Sequence, residues 1–435
     1  MNKVFMWALV VALAGFLFGF DTIVISGADK SLQELWNSSE LFHGSVVMGM
    51  ALWGTVAGAL LGGYPTNRLG RKKTLIGIGF LYLVSAIGSA LVSDPYSFAF
   101  FRFIGGLGVG ASTIAAPAYL SEIAPADRRG RLVAMYQLSI VLGILVAFLS
   151  NFLLSGLGEN AWRYMLGAEA IPALIYCLLI LLIPRSPRWL VLSGKEMEAK
   201  EVWSKLGVVG VDNRMVKLKE GKNKASETIF SPAYRPALMA VILIAFFNQF
   251  SGINAVMYYG PRIFEEAGLA EKSAFLSSVG IGVTNLIFTL LGMALIDRVG
   301  RKTLMVIGSV GYIVSLSLVA LSFLLGWSGL AVPLFLFLFI ASHAVGQGTV
   351  IWVFIAELFP NHLRASGQAM GSTVHWILAA FIPSLIPVGM ATIGAGSVFA
   401  LFAIMMVGQW MWVSRSMPET KGKSLEEISA ELAHK

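Results

Sequence analysis

Apolar residues in this chain run in blocks of about twenty, set apart by short polar stretches, and a block of that length suits a helix crossing the hydrocarbon of a bilayer. The pattern predicts spans at 4–27, 44–64, 74–93, 96–119, 132–154, 163–183, 236–259, 273–296, 303–326, 330–355, 367–389 and 395–413. No water reaches that depth, so each backbone N–H and C=O must be satisfied within its own segment. The expected fold class is therefore an all-α membrane protein with 12 transmembrane helices in two six-helix halves. The one long polar interruption falls between the sixth and seventh spans. It divides the chain into an N-terminal half (1–183), a cytoplasmic helical linker (184–235), a C-terminal half (236–413) and a cytoplasmic tail (414–435).

An internal repeat supports two halves. Asn67-Arg68-Leu69-Gly70-Arg71-Lys72 returns about 230 residues later as Asp297-Arg298-Val299-Gly300-Arg301-Lys302. Glu122-Ile123-Ala124-Pro125 with Arg129 returns as Glu357-Leu358-Phe359-Pro360 with Arg364. In a parallel repeat of this kind the binding site lies between the halves, near the bilayer midplane. Within the linker, Ser193 and Glu196 form a capping-box pattern ahead of the stripe Ala199, Val202, Trp203 and Leu206. Ser424 and Glu427 repeat the device in the tail, ahead of Leu425, Ile428 and Leu432.

Composition agrees with the pattern: 57% of residues are hydrophobic, 13% are charged and the mean hydropathy is +0.76. The net charge of +8 does not point to nucleic acid, because the cations sit in short loops rather than along one face. It points to orientation instead. Nearly all of the 32 Lys and Arg fall in the loops on one side, with Lys30, Arg163, Arg262 and Lys272 opposite and Arg102 inside a span. That asymmetry places both termini in the cytoplasm. Lys3 and the first apolar run look superficially like a signal peptide, but no small-residue cleavage site follows, so the run is expected to be retained. Asn37-Ser38-Ser39 fits a glycosylation triplet that chance produces often, and the single Cys177 is expected to pack as a small hydrophobe.

The polar residues within spans carry the candidate chemistry. In Phe246-Phe247-Asn248-Gln249-Phe250-Ser251-Gly252-Ile253-Asn254-Ala255-Val256-Met257-Tyr258-Tyr259, three amides lie at mid-span, where they are costly unless they meet partners or water. Asn254 and Tyr258 are one turn apart and share a face, and Gly252 permits local unwinding beside them. Amides that merely glue two helices together would satisfy the same pattern. Charges at depth are few: Asp21, Arg102 and Glu169. A carboxylate that alternately meets Arg102 and water can load and release a proton, whereas a static buried pair cannot. The Gly105-Gly106-Leu107-Gly108-Val109-Gly110 run lies inside a span, where small residues serve close helix packing rather than phosphate binding. No nucleophile or metal cluster stands out, so no enzyme activity, cofactor or metal is expected.

That stretch, 246–259, resembles the seventh-helix signature Gln-Gln-x-x-Gly-Ile-Asn-x-x-x-Tyr-Tyr of the sugar porters, a branch of the major facilitator superfamily, with Asn248 at the first Gln. Arg68-Leu69-Gly70-Arg71, Pro117-Ala118-Tyr119-Leu120-Ser121-Glu122, Pro187-Arg188-Trp189-Leu190 and Pro418-Glu419-Thr420-Lys421-Gly422-Lys423-Ser424-Leu425 follow the family's order across nearly the whole chain. The resemblance implies sugar-binding roles for Gln137, Asn248, Gln249, Asn254, Asn285, Trp352 and Trp376, with Tyr258 and His375 beside them. Amides suit paired sugar hydroxyls, and Trp suits the C–H face of the ring. It implies a cytoplasmic gate of Arg68, Arg71, Glu122, Arg129, Arg298, Arg301, Glu357 and Arg364. Within the family, Asp21, Arg102 and Glu169 match the proton-coupled D-xylose carriers of bacteria, and facilitative glucose transporters carry Asn at the position of Asp21.

Besides Asn248, four sites depart from the family pattern. His375 stands where relatives often carry Gln, His343 where they usually carry Phe, Gly348-Thr349 where Gly-Pro is usual, and Arg185 where an acid is expected. The resemblance implies a monosaccharide–proton symporter of the bacterial inner membrane, a monomer in the lipid bilayer that works by alternating access without nucleic acid. An uncoupled facilitator, a polyol or inositol carrier and a non-transporting sugar sensor are the rival expectations. The short linker and tail offer little room for the signalling domain a sensor needs.

Overall fold

In the computed structural model the described residues are 3–125, 128–206, 215, 228–327, 329–360, 363–423 and 427–428. They are helical throughout their regular structure, with no strand among them. Among the described residues ten helices are long and apolar enough to cross a membrane. One of these, Arg364–Arg415, has a non-helical residue, Gly394, in its middle, and the bent pair Glu40–Met48 and Met50–Arg68 forms one further broken span. Counting each as the pattern divides them gives the twelve crossings read from the sequence.

Packing divides the chain into two compact units. The first holds Met1–Thr22, Ala51–Ala147 and Leu166–Ser226, and the second holds Ile23–Met50, Phe148–Met165 and Glu227–Lys435. In the first unit, Leu17, Tyr82, Tyr119, Tyr176 and their neighbours form one apolar core. The glycine run makes its helix contact there: a Cβ on Gly106 would sit 1.9 Å from Ala51 O, and one on Gly110 would sit 2.2 Å from Thr55 O. Backbone touches backbone at these points, and only glycine allows it. In the second unit the core gathers Val241, Leu304, Phe354, Ile355 and Val413, among others.

The linker stripe forms as expected but its cap does not. Glu196–Lys205 buries Ala199, Val202 and Trp203, which cluster with Trp189, Leu190 and Val191. Its N-cap is Lys195, with no side-chain bond, and Ser193 instead closes the preceding Pro187–Leu192 helix. That helix is capped by Ser186, so Ser193 is already committed to its C-terminus. In the tail, Ile428 is buried, while Ser424, Leu425 and Leu432 lie outside the described residues.

Candidate functional site

The seventh span breaks in its middle. Arg235–Phe250 ends at Ser251, Gly252 turns the chain in a left-handed conformation (φ 80°), and Ile253–Glu266 follows. A side chain at Gly252 would be strained, and its Cβ would lie 2.5 Å from the ring of Phe402. The break leaves Asn248 and Gln249 at the end of one helix and Asn254 at the start of the next.

Their amides join head to tail. Asn254 Nδ2 donates to Gln249 Oε1 at 2.7 Å, Gln249 Nε2 to Asn248 Oδ1 at 3.1 Å, and Asn248 Nδ2 to Gln347 Oε1 at 3.3 Å. Both ring nitrogens of His375 lie 3.2 Å from Gln249 Nε2. Trp352 and Trp376 flank that ring, with centroids 5.2 and 4.9 Å away. Asn248, Gln249, Asn254, Trp352, His375 and Trp376 are thus brought together by direct contacts, a set of polar groups beside two indole faces. Tyr258 is buried on the same broken span, and Asn285 is buried with Thr289 Oγ1 donating to its Oδ1 at 3.4 Å. Gln137 is half-buried on Arg129–Leu154, in the first unit. His343 is tied to the hydroxyl of Tyr312 at 2.5 Å, not to the amides. Gln347 and Gln409 are fully buried amides on spans of the same unit that the motif-led reading passed over. The rule that singled out Asn248, an amide within hydrocarbon, would have found both.

In the first unit, Arg102 Nη1 donates to Asp21 Oδ1 at 2.6 Å and Nη2 to Asp21 O at 2.9 Å. Each side chain is only 1% exposed. Glu169 interrupts the sixth span between Ala161–Ala168 and Ala170–Leu179, within electrostatic reach of both, and its Oε1 has no hydrogen-bond partner among the described residues.

A second buried charge cluster lies in the other unit. Arg262 was expected in a loop, yet the helix continues past the kink at Tyr259 (φ −117°) and carries it into the interior. Its Nε donates to Asp29 Oδ2 at 2.6 Å and its Nη2 to Asp29 Oδ1 at 3.0 Å, and it also bonds Gln33. His43 Nε2 lies 2.7 Å from Asp29 Oδ1. Nothing in the local pattern marked these residues, because their loops look like ordinary polar connections.

The repeated loop motifs split into pairs. Arg71 meets Glu122 at 2.9 Å, and Arg301 meets Glu357 through Nε at 3.0 Å and Nη2 at 2.7 Å. Arg68 bonds Tyr64, Arg364 Nε donates to Ala356 O at 2.8 Å, and Arg298 is exposed; none of the three forms an ion pair among the described residues. The side chain of Arg129 lies outside what is described. Among the described residues no group of three His, Cys, Asp or Glu is placed to hold a metal ion.

Known proteins are similar to this chain over nearly its whole length. Residues 7–432 match the family described as "Sugar (and other) transporter". The arabinose-proton symporter of Bacillus subtilis is 35% identical, with 98% of this chain and 95% of that protein covered. The D-xylose-proton symporter of Escherichia coli is 32% identical over 99% of this chain and 96% of its own. Among solved structures, the xylose transporter XylE from E. coli, in a partially occluded inward open conformation, superposes with a TM-score of 0.86 at 31% identity, covering 98% of this chain and 100% of that one. Members of this family are transporters rather than enzymes, and with twelve apolar crossings and these relatives the chain is a multi-pass membrane protein that belongs to the sugar transporter family of the major facilitator superfamily.

Proposed function

We propose that this protein takes up a monosaccharide, a pentose or a hexose, in symport with protons by alternating access. The observation that carries the reading is the Asp21–Arg102 pair, fully buried and flanked by the unpartnered Oε1 of Glu169. A buried carboxylate that loses its cation is expensive, and a proton removes that expense. Protonation of Asp21 frees Arg102, weakens the contact that holds one state, and lets the loaded carrier reorient. Glu169 supplies a second acid within reach. A membrane potential of about 100 mV provides roughly 2.3 kcal/mol per charge, enough for about fifty-fold accumulation with one proton.

The sugar is held by Gln249, Asn254 and neighbouring amides, with Trp352 and Trp376 against its C–H faces, and Gln137, Tyr258 and Asn285 are further candidate sugar ligands. The bodies that move are the six-helix halves 1–183 and 236–413, with Arg71–Glu122 and Arg301–Glu357 at the core of the cytoplasmic gate. The excess of Lys and Arg on one side supports cytoplasmic termini in a bacterial inner membrane, and nothing in the mechanism requires more than a monomer in lipid. The test is Asp21→Asn in proteoliposomes, with gradient-driven uptake and sugar-for-sugar counterflow measured side by side. Uphill accumulation should vanish while counterflow persists. Continued accumulation by Asp21→Asn would move the coupling role to Glu169, and wild-type uptake indifferent to a proton gradient would identify a facilitator.

A further inference from the structure

The amides at the site continue into a line that sugar contact alone does not explain. Gln347 Nε2 donates to Gln409 Oε1 at 2.9 Å, Gln409 Nε2 to Ser309 Oγ at 2.8 Å, and Ser309 Oγ to Met305 O at 2.7 Å. Gln347, Gln409 and Ser309 are all 0% exposed. Together with the three links already described, the line runs unbroken from Asn254 through Gln249, Asn248, Gln347 and Gln409 to Ser309. The helices can approach closely here because Gly308 and Gly346 face each other, and a Cβ on either would lie 2.9 Å from the other's Cα.

An amide has a donor end and an acceptor end, so a line fixed at one terminus is fixed at the other. Ser309 has one hydroxyl proton, and the carbonyl of Met305 takes it. What remains toward Gln409 is a lone pair, so Gln409 must present its NH2 there and its carbonyl to Gln347. The same requirement passes through Asn248 and Gln249 to Asn254, one N–H of which is then committed to Gln249 and whose Oδ1 is left over. Turning any one amide around would set two donors or two acceptors face to face in a dry interior. Asn254 is half-buried, and its Oδ1 makes no hydrogen bond among the described residues.

We propose that Gln347, Gln409 and Ser309 are positioning residues that set the hydrogen-bond polarity of the sugar site, so that Asn254 offers an acceptor and selects a sugar hydroxyl that donates. The inference rests on the sugar reading above and adds which end of the substrate hydroxyl is recognised.

Calorimetry on the purified full chain tests it, with D-xylose, D-glucose and their monodeoxyfluoro analogues as probes. Fluorine accepts weakly and never donates, so at the position facing Asn254 it should cost the wild type roughly tenfold or more in affinity. Gln409→Met keeps the volume and removes the polar atoms, which releases the upstream amides to rotate. The penalty for that analogue should shrink to about threefold or less, beyond any general loss of affinity. Ser309→Ala should behave the same way, and Ser309→Thr, which keeps the hydroxyl, should retain the wild-type penalty. A purely structural role would weaken every sugar by one common factor and follow the melting temperature, and that result would overturn the proposal, as would an unchanged penalty in both Gln409→Met and Ser309→Ala. A wild type that binds neither parent sugar would instead refute the sugar reading itself.

Discussion

In the second unit, Thr420 Oγ1 donates to Glu357 Oε2 at 2.6 Å, and the adjacent Glu419 accepts the backbone N–H groups of Arg301 and Lys302, both at 3.0 Å. In the first unit, Ser186 donates to Glu122 in the same manner, but the residue beside it is Arg185, which turns to Glu198 of the linker helix at 3.3 Å. Each unit therefore keeps an Arg–Glu pair steadied by a hydroxyl. Only one unit keeps the acid that holds the start of the next helix. An arginine cannot accept from backbone N–H groups, and among the described residues no side chain accepts from the N–H of Arg71 or Lys72 at the start of Arg71–Leu91, which follows Gly70 (φ 89°). The repeated motif thus does two separable jobs, pairing and capping, and this chain has dropped the second in one unit.

The largest effect expected from this contrast is at the pairs. Glu122→Ala leaves Arg71 without its buried carboxylate and should cost about 3 kcal/mol in thermal unfolding of the detergent-solubilised protein. Glu357→Ala should cost less, about 2 kcal/mol, because the Glu357 side chain is 30% exposed against 5% for Glu122, and water screens what it leaves behind. The reverse ranking would mean that the number of bonds, not burial, governs these sites. Next comes Glu419→Ala, which strips three backbone donors, those of Arg301, Lys302 and Lys421, of their acceptor and should cost about 1 kcal/mol, while Arg185→Ala should stay within about 0.5 kcal/mol of wild type. Equal losses from the two would erase the distinction between the units.

Smallest in stability but most informative is Arg185→Glu, which returns an acid to the start of Arg71–Leu91. A gain of roughly 0.5 kcal/mol is expected from the restored cap. If the cytoplasmic motifs hold the outward-facing state, the same substitution should raise labelling of a cysteine placed on the periplasmic side of the pathway. The shift is limited to the difference in interaction between the two states. No rise in labelling would confine Arg185 to local packing against Glu198.

Much of the candidate site could be read in advance because the bilayer makes polarity expensive. Asn248, Gln249 and Asn254 stood out as amides in hydrocarbon, and Gly252 as the one residue between them able to turn left-handed, and all four sit at the break in the span. Asp21 and Arg102 stood out for the same reason and are bonded at 2.6 Å. Asp29 and Arg262 did not, because each lies in a stretch that reads as a polar connection, and only the continuation of a kinked helix past Tyr259 buries them together. Ser193 failed as a cap because a preceding helix claimed it, a competition that spacing alone does not reveal.

The sequence by itself determined the class of protein, the number and place of its crossings, the repeat and the polar residues at depth. Each of these follows from a local cost, the burial of a backbone group, a charge or an amide in hydrocarbon, and a local cost is written in local residues. Only the tertiary structure decided which polar group answers which. Gln409 lies 100 residues from Ser309 in the chain and Gln347 lies 62 from Gln409, yet their side chains meet at hydrogen-bond distance. The orientation of every amide in that line depends on one hydroxyl at its far end. Hydrogen bonds between distant spans are fixed by how the helices pack, and no single segment encodes that packing.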